Sequence, residues 1–265
     1  MTKLQYTFKT DILFKILFVK NPNLLRQLVC ELLGIKIESI GQFEITNPEM
    51  PPDNVKDKFA RLDINMTVNG QRINLEIQVN NEGDYPERVL FNWAREYSNS
   101  LPSSKDYRDL PRTILINIIA FNLLQSKEFH SEFMPLEVNR YELLSDKMTI
   151  HLFELKKLPA NINEENMLLL WLNLFKADTI EELEKIEVLE VPVMNQAINA
   201  YYNITAESEF REKARLWEKA RHNEASALRH AREEGEQQER EKWQGVVADK
   251  EAEIARLKAQ LEKLQ

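Results

Sequence analysis

Apolar residues recur at helical spacing through residues 10–33. Leu13, Phe14, Leu17 and Phe18 form one stripe, Pro22 interrupts it, and Leu24, Leu25, Leu28 and Leu32 resume before Gly34 closes the run. Thr10 is placed to cap the first of these segments. Residues 35–45 carry enough β-branched side chains for a strand, and a loop follows at Asn47-Pro48 and Pro51-Pro52. From Phe59 to Val79 the period becomes two. Leu62, Ile64, Met66 and Val68 alternate with Arg61, Asp63, Asn65 and Thr67, and after Asn69-Gly70 the residues Ile73, Leu75, Ile77 and Val79 alternate with Asn74, Glu76 and Gln78. Two alternating runs joined by Asn-Gly predict a β-hairpin with a two-residue turn.

Helical spacing returns over residues 86–101, with Val89, Leu90, Trp93 and Tyr97 on one side. Residues 113–124 (TILINIIAFNLL) are almost wholly apolar, as in a strand buried on both faces. Residues 148–155 predict one more strand, and residues 164–202 a helical stretch with Leu168, Leu169, Leu172 and Phe175 as its core stripe. The order of elements predicts a mixed α/β domain. Beyond about residue 205 Glu, Lys, Arg, Ala and Gln take over. There Ile254, Leu257, Leu261 and Leu264 step by three and four, a seam that Val247 extends backwards. Gly235 and Gly245 each weaken this helix by about 1 kcal/mol. It reads as a short coiled coil, with a solvated charged helix as the alternative. The expected organisation is a domain over residues 1–158, a helical extension over 159–204 and a charged helical tail over 205–265, without internal repeats.

The chain's 265 residues are 43% hydrophobic, enough for a substantial core. A single cysteine, Cys30, excludes a disulfide framework or a Cys-cluster zinc site, and four scattered histidines argue against a His-rich one. No apolar leader or span is present, so the expectation is a soluble, cytoplasmic protein with no membrane partner. Net charge is −8: residues 1–204 hold 22 Lys+Arg against 29 Asp+Glu, and the remainder 13 against 14. A nucleic-acid surface would therefore have to be a local basic patch or depend on bound cations.

The hairpin carries the candidate chemistry. With Asn69-Gly70 as the turn, Met66 faces Ile73, Ile64 faces Leu75, and the same register sets Asp63 opposite Glu76. Directly opposed Cβ atoms lie about 4.5–5.5 Å apart, and like charges so placed repel. A hard divalent cation resolves that repulsion: Mg²⁺ takes oxygen ligands at about 2.0–2.1 Å and usually retains several waters. Gln78 points to the same face about 6.6 Å further along the strand, where its amide suits a water or a phosphate oxygen. Arg61, Asn65 and Asn74 share the face and are able to contact phosphate. The alternative is a merely solvated hairpin face.

In combination these stretches resemble the PD-(D/E)xK nuclease superfamily and, more closely, the Rpn family of recombination-promoting nucleases, also called transposases. The likeness rests on TDILFKILF with Asp11 and Lys15, on RLDINMTVNGQRINLEIQV with Asp63, Glu76 and Gln78, and on RVLFNWAREYSNSL after the hairpin. It spans residues 7–158. The resemblance implies a restriction-endonuclease-like core, a mixed central sheet flanked by helices, and an enzyme that cuts DNA with Mg²⁺ (or Mn²⁺). By it Asp63 and Glu76 hold the metal, with the Ile77 carbonyl as a further ligand, and Gln78 occupies the place of the superfamily's lysine. Asp11 is then a further catalytic acid, or simply a favourable charge at a helix start, worth about 0.3–1 kcal/mol. Lys15 and Arg88 are candidates for stabilising phosphate charge; the alternatives are a surface partner of Asp11 for the lysine and a solvated helix charge for the arginine.

Two functions follow as expectations. One is a metal-dependent DNA endonuclease promoting recombination. The other is a catalytically degenerate nuclease fold serving as a DNA-binding or protein-interaction module, a homodimer through its C-terminal helix.

Overall fold

A computed structural model of the chain describes residues 2–48, 63–101, 106–161 and 164–262. The elements are α1 (Asp11–Lys20), α2 (Pro22–Leu33), β1 (Phe43–Ile45), β2 (Ile64–Val68), β3 (Gln71–Gln78), α3 (Tyr85–Ser98), β4 (Thr113–Ile119), β5 (His130–Phe133), β6 (Met148–Glu154), α4 (Met167–Lys176), α5 (Ile180–Glu187), α6 (Pro192–Ala206) and α7 (Ser208–Glu262). They divide into two compact units, residues 1–214 and 215–265. The helices of residues 167–206 belong to the same unit as the sheet.

The sheet has six strands in the order β1-β2-β3-β4-β6-β5. β3, β4 and β6 run parallel, and the outer pairs are antiparallel. The hairpin forms as the alternation predicts. Asn69 (φ 48°) and Gly70 (φ 78°) both take positive φ, the requirement of a tight turn whose twist matches the strands. The register follows: Val68 pairs with Gln71, Met66 with Ile73 and Ile64 with Leu75. The Asn69 side chain accepts from the Gly41 and Gln42 amides and donates to the Ser39 carbonyl, so the turn also ties down the approach to β1.

β4 is buried along its whole length, as an interior parallel strand must be. On one face of the sheet α3 packs Tyr85 and Val89 against Leu115, Ile119, Ile150 and Leu152. The parallel register sets Asn74 beside Leu115, Glu76 beside Asn117 and Gln78 beside Ile119. The polar row of β3 therefore lies on the face that α3 covers. The other face buries Ile64, Met66, Val68, Ile73, Leu75 and Ile77. Two helices buried over most of their length, α1 and α4, meet through Phe14 and Phe18 against Phe175 and Trp171, with ring centroids 5.8–6.1 Å apart. Helices so largely apolar belong in a core.

Several expectations need correction. Residues 35–45 are not one strand: Ile37–Ser39 form a 3₁₀ turn and only Phe43–Ile45 pair. Thr10 makes no side-chain cap; its hydroxyl accepts from the Thr7 amide instead. The apolar run from Thr113 ends as a strand at Ile119, beyond which the chain turns across the sheet end. Residues 164–202 are three helices, broken where Thr179 caps α5 and where Pro192 starts α6. Leu90 is half exposed, although Val89, its neighbour, is buried. The edge strand β5, with the sequence His-Ser-Glu-Phe, carries no alternating signal and was not expected. Among the described residues no helix is long and apolar enough to cross a membrane.

Candidate active site

Asp63 stands one residue before β2, so it lies just outside the ladder that begins at Ile64 and Leu75. Its position is nevertheless fixed. The Asp63 carbonyl accepts from the Lys15 ammonium at 3.1 Å and from the Asn47 side-chain amide at 3.0 Å. The Asn47 carboxamide oxygen in turn accepts from the Asn65 amide at 2.8 Å. Asn47 thus continues the β1–β2 pairing with a side chain after β1 has ended.

The Asp63 carboxylate accepts a hydrogen bond from the Asn74 side chain and, at 3.4 Å, one from Asn65; Asn74 also donates to Asn65 at 2.8 Å. Both asparagines satisfy the acid directly, a use that the expectation of phosphate contacts did not include. Asn74 is only 7% exposed, so removing it would leave a half-buried carboxylate short of a donor.

Glu76 lies next along the same row and is half buried. Burial pushes its carboxyl up to about 7; the Arg88 charge opposes this, Asp63 and Asp11 add to it, and Arg95 opposes it. Asp63 and Glu76 are therefore electrostatically coupled, with cationic groups of α3 acting on Glu76 as well. Asp11, in the first turn of α1, is close enough for its charge to act on Glu76. Among the described residues no three His, Cys, Asp or Glu side chains converge as a metal site.

The Ile77 carbonyl has a defined direction. The Gln78 carbonyl accepts from the Ala120 amide across β4. Successive carbonyls of a strand point to opposite sides, so that of Ile77 points away from β4, to the β2 side. The Gln78 amide donates to the Asn80 carbonyl at 3.0 Å, at the exit of its own strand.

Lys15 is a correction. It is 1% exposed, and its ammonium donates to the Asn47 and Asp63 carbonyls, at 2.6 and 3.1 Å. It is buried rather than on the surface, and it fastens the start of β2. Arg88 is a half-buried residue of α3, paired to Glu82 at 3.1 Å and lying 5.2 Å from the centroid of the Tyr85 ring. Arg61 lies outside the described residues. Tyr85, Asn117 and Arg95 were not anticipated. The Tyr85 hydroxyl donates to the Asn117 side chain at 3.2 Å, and burial beside Glu76 raises its pKa. Arg95 follows Arg88 by seven residues, a spacing that returns to the same helix side and could have drawn attention to it.

A family model described as PD-(D/E)XK nuclease family transposase matches residues 8–231. The chain belongs to this family. No curated protein and no solved structure matches it. The family match takes in all six strands and every helix from α1 to α6, together with the start of α7. The mixed sheet with flanking helices is consistent with a PD-(D/E)XK nuclease fold. The hairpin with Asp63, Glu76 and Gln78, the helix α3 and the buried strand β4 all fall within the PD-(D/E)XK family match.

Proposed function

We propose that this protein is a Mg²⁺-dependent (or Mn²⁺-dependent) DNA endonuclease, acting in the cytoplasm and promoting recombination as a transposase-like enzyme. The observation that carries the reading is a half-buried Glu76 carboxyl, pushed up by burial, on which the negative charge of Asp63 also acts. Such a pair is costly to ionise unless a cation arrives. Two carboxylates and the Ile77 carbonyl suit Mg²⁺, which is commonly held by one or two carboxylates with waters and substrate phosphate completing its shell. When bound, the ion activates water and stabilises charge on the attacked phosphorus.

The chain's own residues supply the rest. Asn74 and Asn65 hold the Asp63 carboxylate toward the row, and Lys15 and Asn47 hold its backbone. Gln78 stands where the wider superfamily usually has a lysine. Its amide can donate to a phosphate oxygen but cannot pass a proton, so positive charge at the phosphate has to come from elsewhere. Arg88 and Arg61 are the proposed sources, and Asp11 acts on the pair through its charge.

The test is nicking of supercoiled plasmid. The wild type should cut with Mg²⁺ or Mn²⁺ and stop with EDTA, and Asp63→Ala should abolish cutting. No cleavage of any DNA form by the folded wild type would remove the enzyme reading.

A second reading is a degenerate nuclease fold kept as a DNA-binding or protein-interaction module. The net charge of −8 and the amide at position 78 favour it. In that reading α7 joins a second copy along a short coiled coil. Val247, Ile254 and Leu257 of the seam are about half exposed at 52%, 51% and 52%. It requires salt-sensitive DNA binding or dimerisation indifferent to Asp63→Ala, and a fall in solution mass to that of a monomer once residues 205–265 are removed.

A further inference from the structure

Three nitrogens of α3 are anomalous. Arg88 Nε and Nη2 and Arg95 Nε are out of contact with solvent and have no hydrogen-bond partner among the described residues. Guanidinium nitrogens buried in this way normally find an acceptor, because each unpaired one costs about 1–3 kcal/mol. Arg88 spends only Nη1 on the exposed Glu82, and its plane lies over the Tyr85 ring. Arg95 lies against the Phe91 ring, at 5.8 Å. Each guanidinium is thus held by an aromatic surface while donors remain unspent.

Both groups act on one place. Of the charges that influence Glu76, that of Arg88 is the largest and that of Arg95 a smaller one of the same sign. Seven residues of helix separate the two by about 10 Å along the axis, too far for one phosphate to take both at their helix positions. Their unspent donors match an extended polyanion rather than a single small anion. Arginine suits that use because its planar fork meets phosphate oxygens two at a time.

We propose that Arg88 and Arg95 form a two-point phosphate clamp, with Arg88 on the phosphate to be cut and Arg95 on a neighbouring phosphate of the same DNA. The inference rests on the nuclease reading for the first of these assignments. It gives the site the positive charge that Gln78 does not, and it makes the face of α3 the local basic patch that an acidic protein needs.

The test separates binding from cutting. Binding of a short mixed-sequence DNA duplex is measured over a series of salt concentrations, with Asp63→Ala as the background so that no cleavage intervenes. Arg88→Gln and Arg95→Gln should each weaken binding and each flatten the slope of log K against log salt by about 0.9, the value for one lost B-DNA phosphate contact. In the cleaving background with Mg²⁺, Arg88→Gln should lower kcat, whereas Arg95→Gln should raise KM and leave kcat within about two-fold, as loss of uniform binding does. A structural role alone would not move the salt slope. Slopes and affinities equal to those of the parent would overturn the clamp, even if the enzyme cuts DNA. If the enzyme does not cut, the slopes still decide the clamp. Should the glutamine variants fail to fold, Arg88→Lys and Arg95→Lys carry the test. An affinity reduced at unchanged slope supports the forked contact, and an unchanged affinity overturns it.

Discussion

The pairing of two acids on a covered sheet face predicts a stability that depends on one carboxyl in a particular direction. Burial raises Glu76 from 4.5 to about 7. Between those values the folded chain retains a proton that the unfolded chain has released, so stability falls as pH rises through this window. At about 1.36 kcal/mol per pH step, the whole rise amounts to at most about 3 kcal/mol, absent below pH 4.5 and complete above about 7. Glu76→Gln keeps the shape and cannot ionise. Relative to that variant, the wild type should lose about 3 kcal/mol between about pH 5 and about pH 8, or about 6–12 °C in Tm for a unit of this size. The assay is thermal unfolding of both proteins across that range, which cancels the titration of every other group. Adding Mg²⁺ at about pH 8 should restore the wild type and leave Glu76→Gln unmoved, since the ion binds the ionised carboxylate and only in the folded state. Parallel curves for the two proteins, with and without Mg²⁺, would refute both the coupling and the metal assignment.

Further expectations concern the supports of the site. Lys15→Met removes a buried ammonium from two carbonyls and should cost about 1.5–3 kcal/mol, read as a lower Tm with the DNA-binding salt slope unchanged. Tyr85→Phe removes the hydroxyl bonded to Asn117 and should cost about 0.5–1.5 kcal/mol in urea unfolding. At the opposite sheet face His151 is held down to about 4 by burial, with His130 and Arg112 adding to this and Glu132 opposing it. The folded chain then binds fewer protons than the unfolded one, so stability present above about pH 6.5 is lost as pH falls toward 4. His151→Gln should flatten that acid limb, as monitored by circular dichroism during acid titration.

Much of the site could be read from residue order because its geometry is local. Asn69-Gly70 accepts positive φ where other residues resist it, and a two-residue turn leaves one register in which Ile64, Met66, Ile73 and Leu75 share a face. That register brings the chain to Asp63 at the β2 end nearest Glu76, although Asp63 itself lies just outside the ladder. The apolar run at β4 likewise reports its own burial, since only a strand covered on both sides can be apolar throughout.

The remainder depended on which distant segments came together. Lys15 has the spacing of a surface helix residue, yet it is buried because the carbonyls of Asn47 and Asp63, 32 and 48 residues away, converge on it. Asn65 and Asn74 look like solvated polar positions, yet both donate to the Asp63 carboxylate, whose backbone Lys15 and Asn47 hold. β5 has no periodic pattern because an edge strand needs only one partner and little burial, and β6 provides the partner. Arg88 and Arg95 show a helical repeat in the sequence, but their unspent donors exist only where packing removes water without supplying an acceptor. The chain's order thus carries the turn, the register and the acid pair, which short-range backbone sterics and side-chain alternation dictate. Burial, charge coupling and the supports of Asp63 come from long-range packing, which no local pattern encodes.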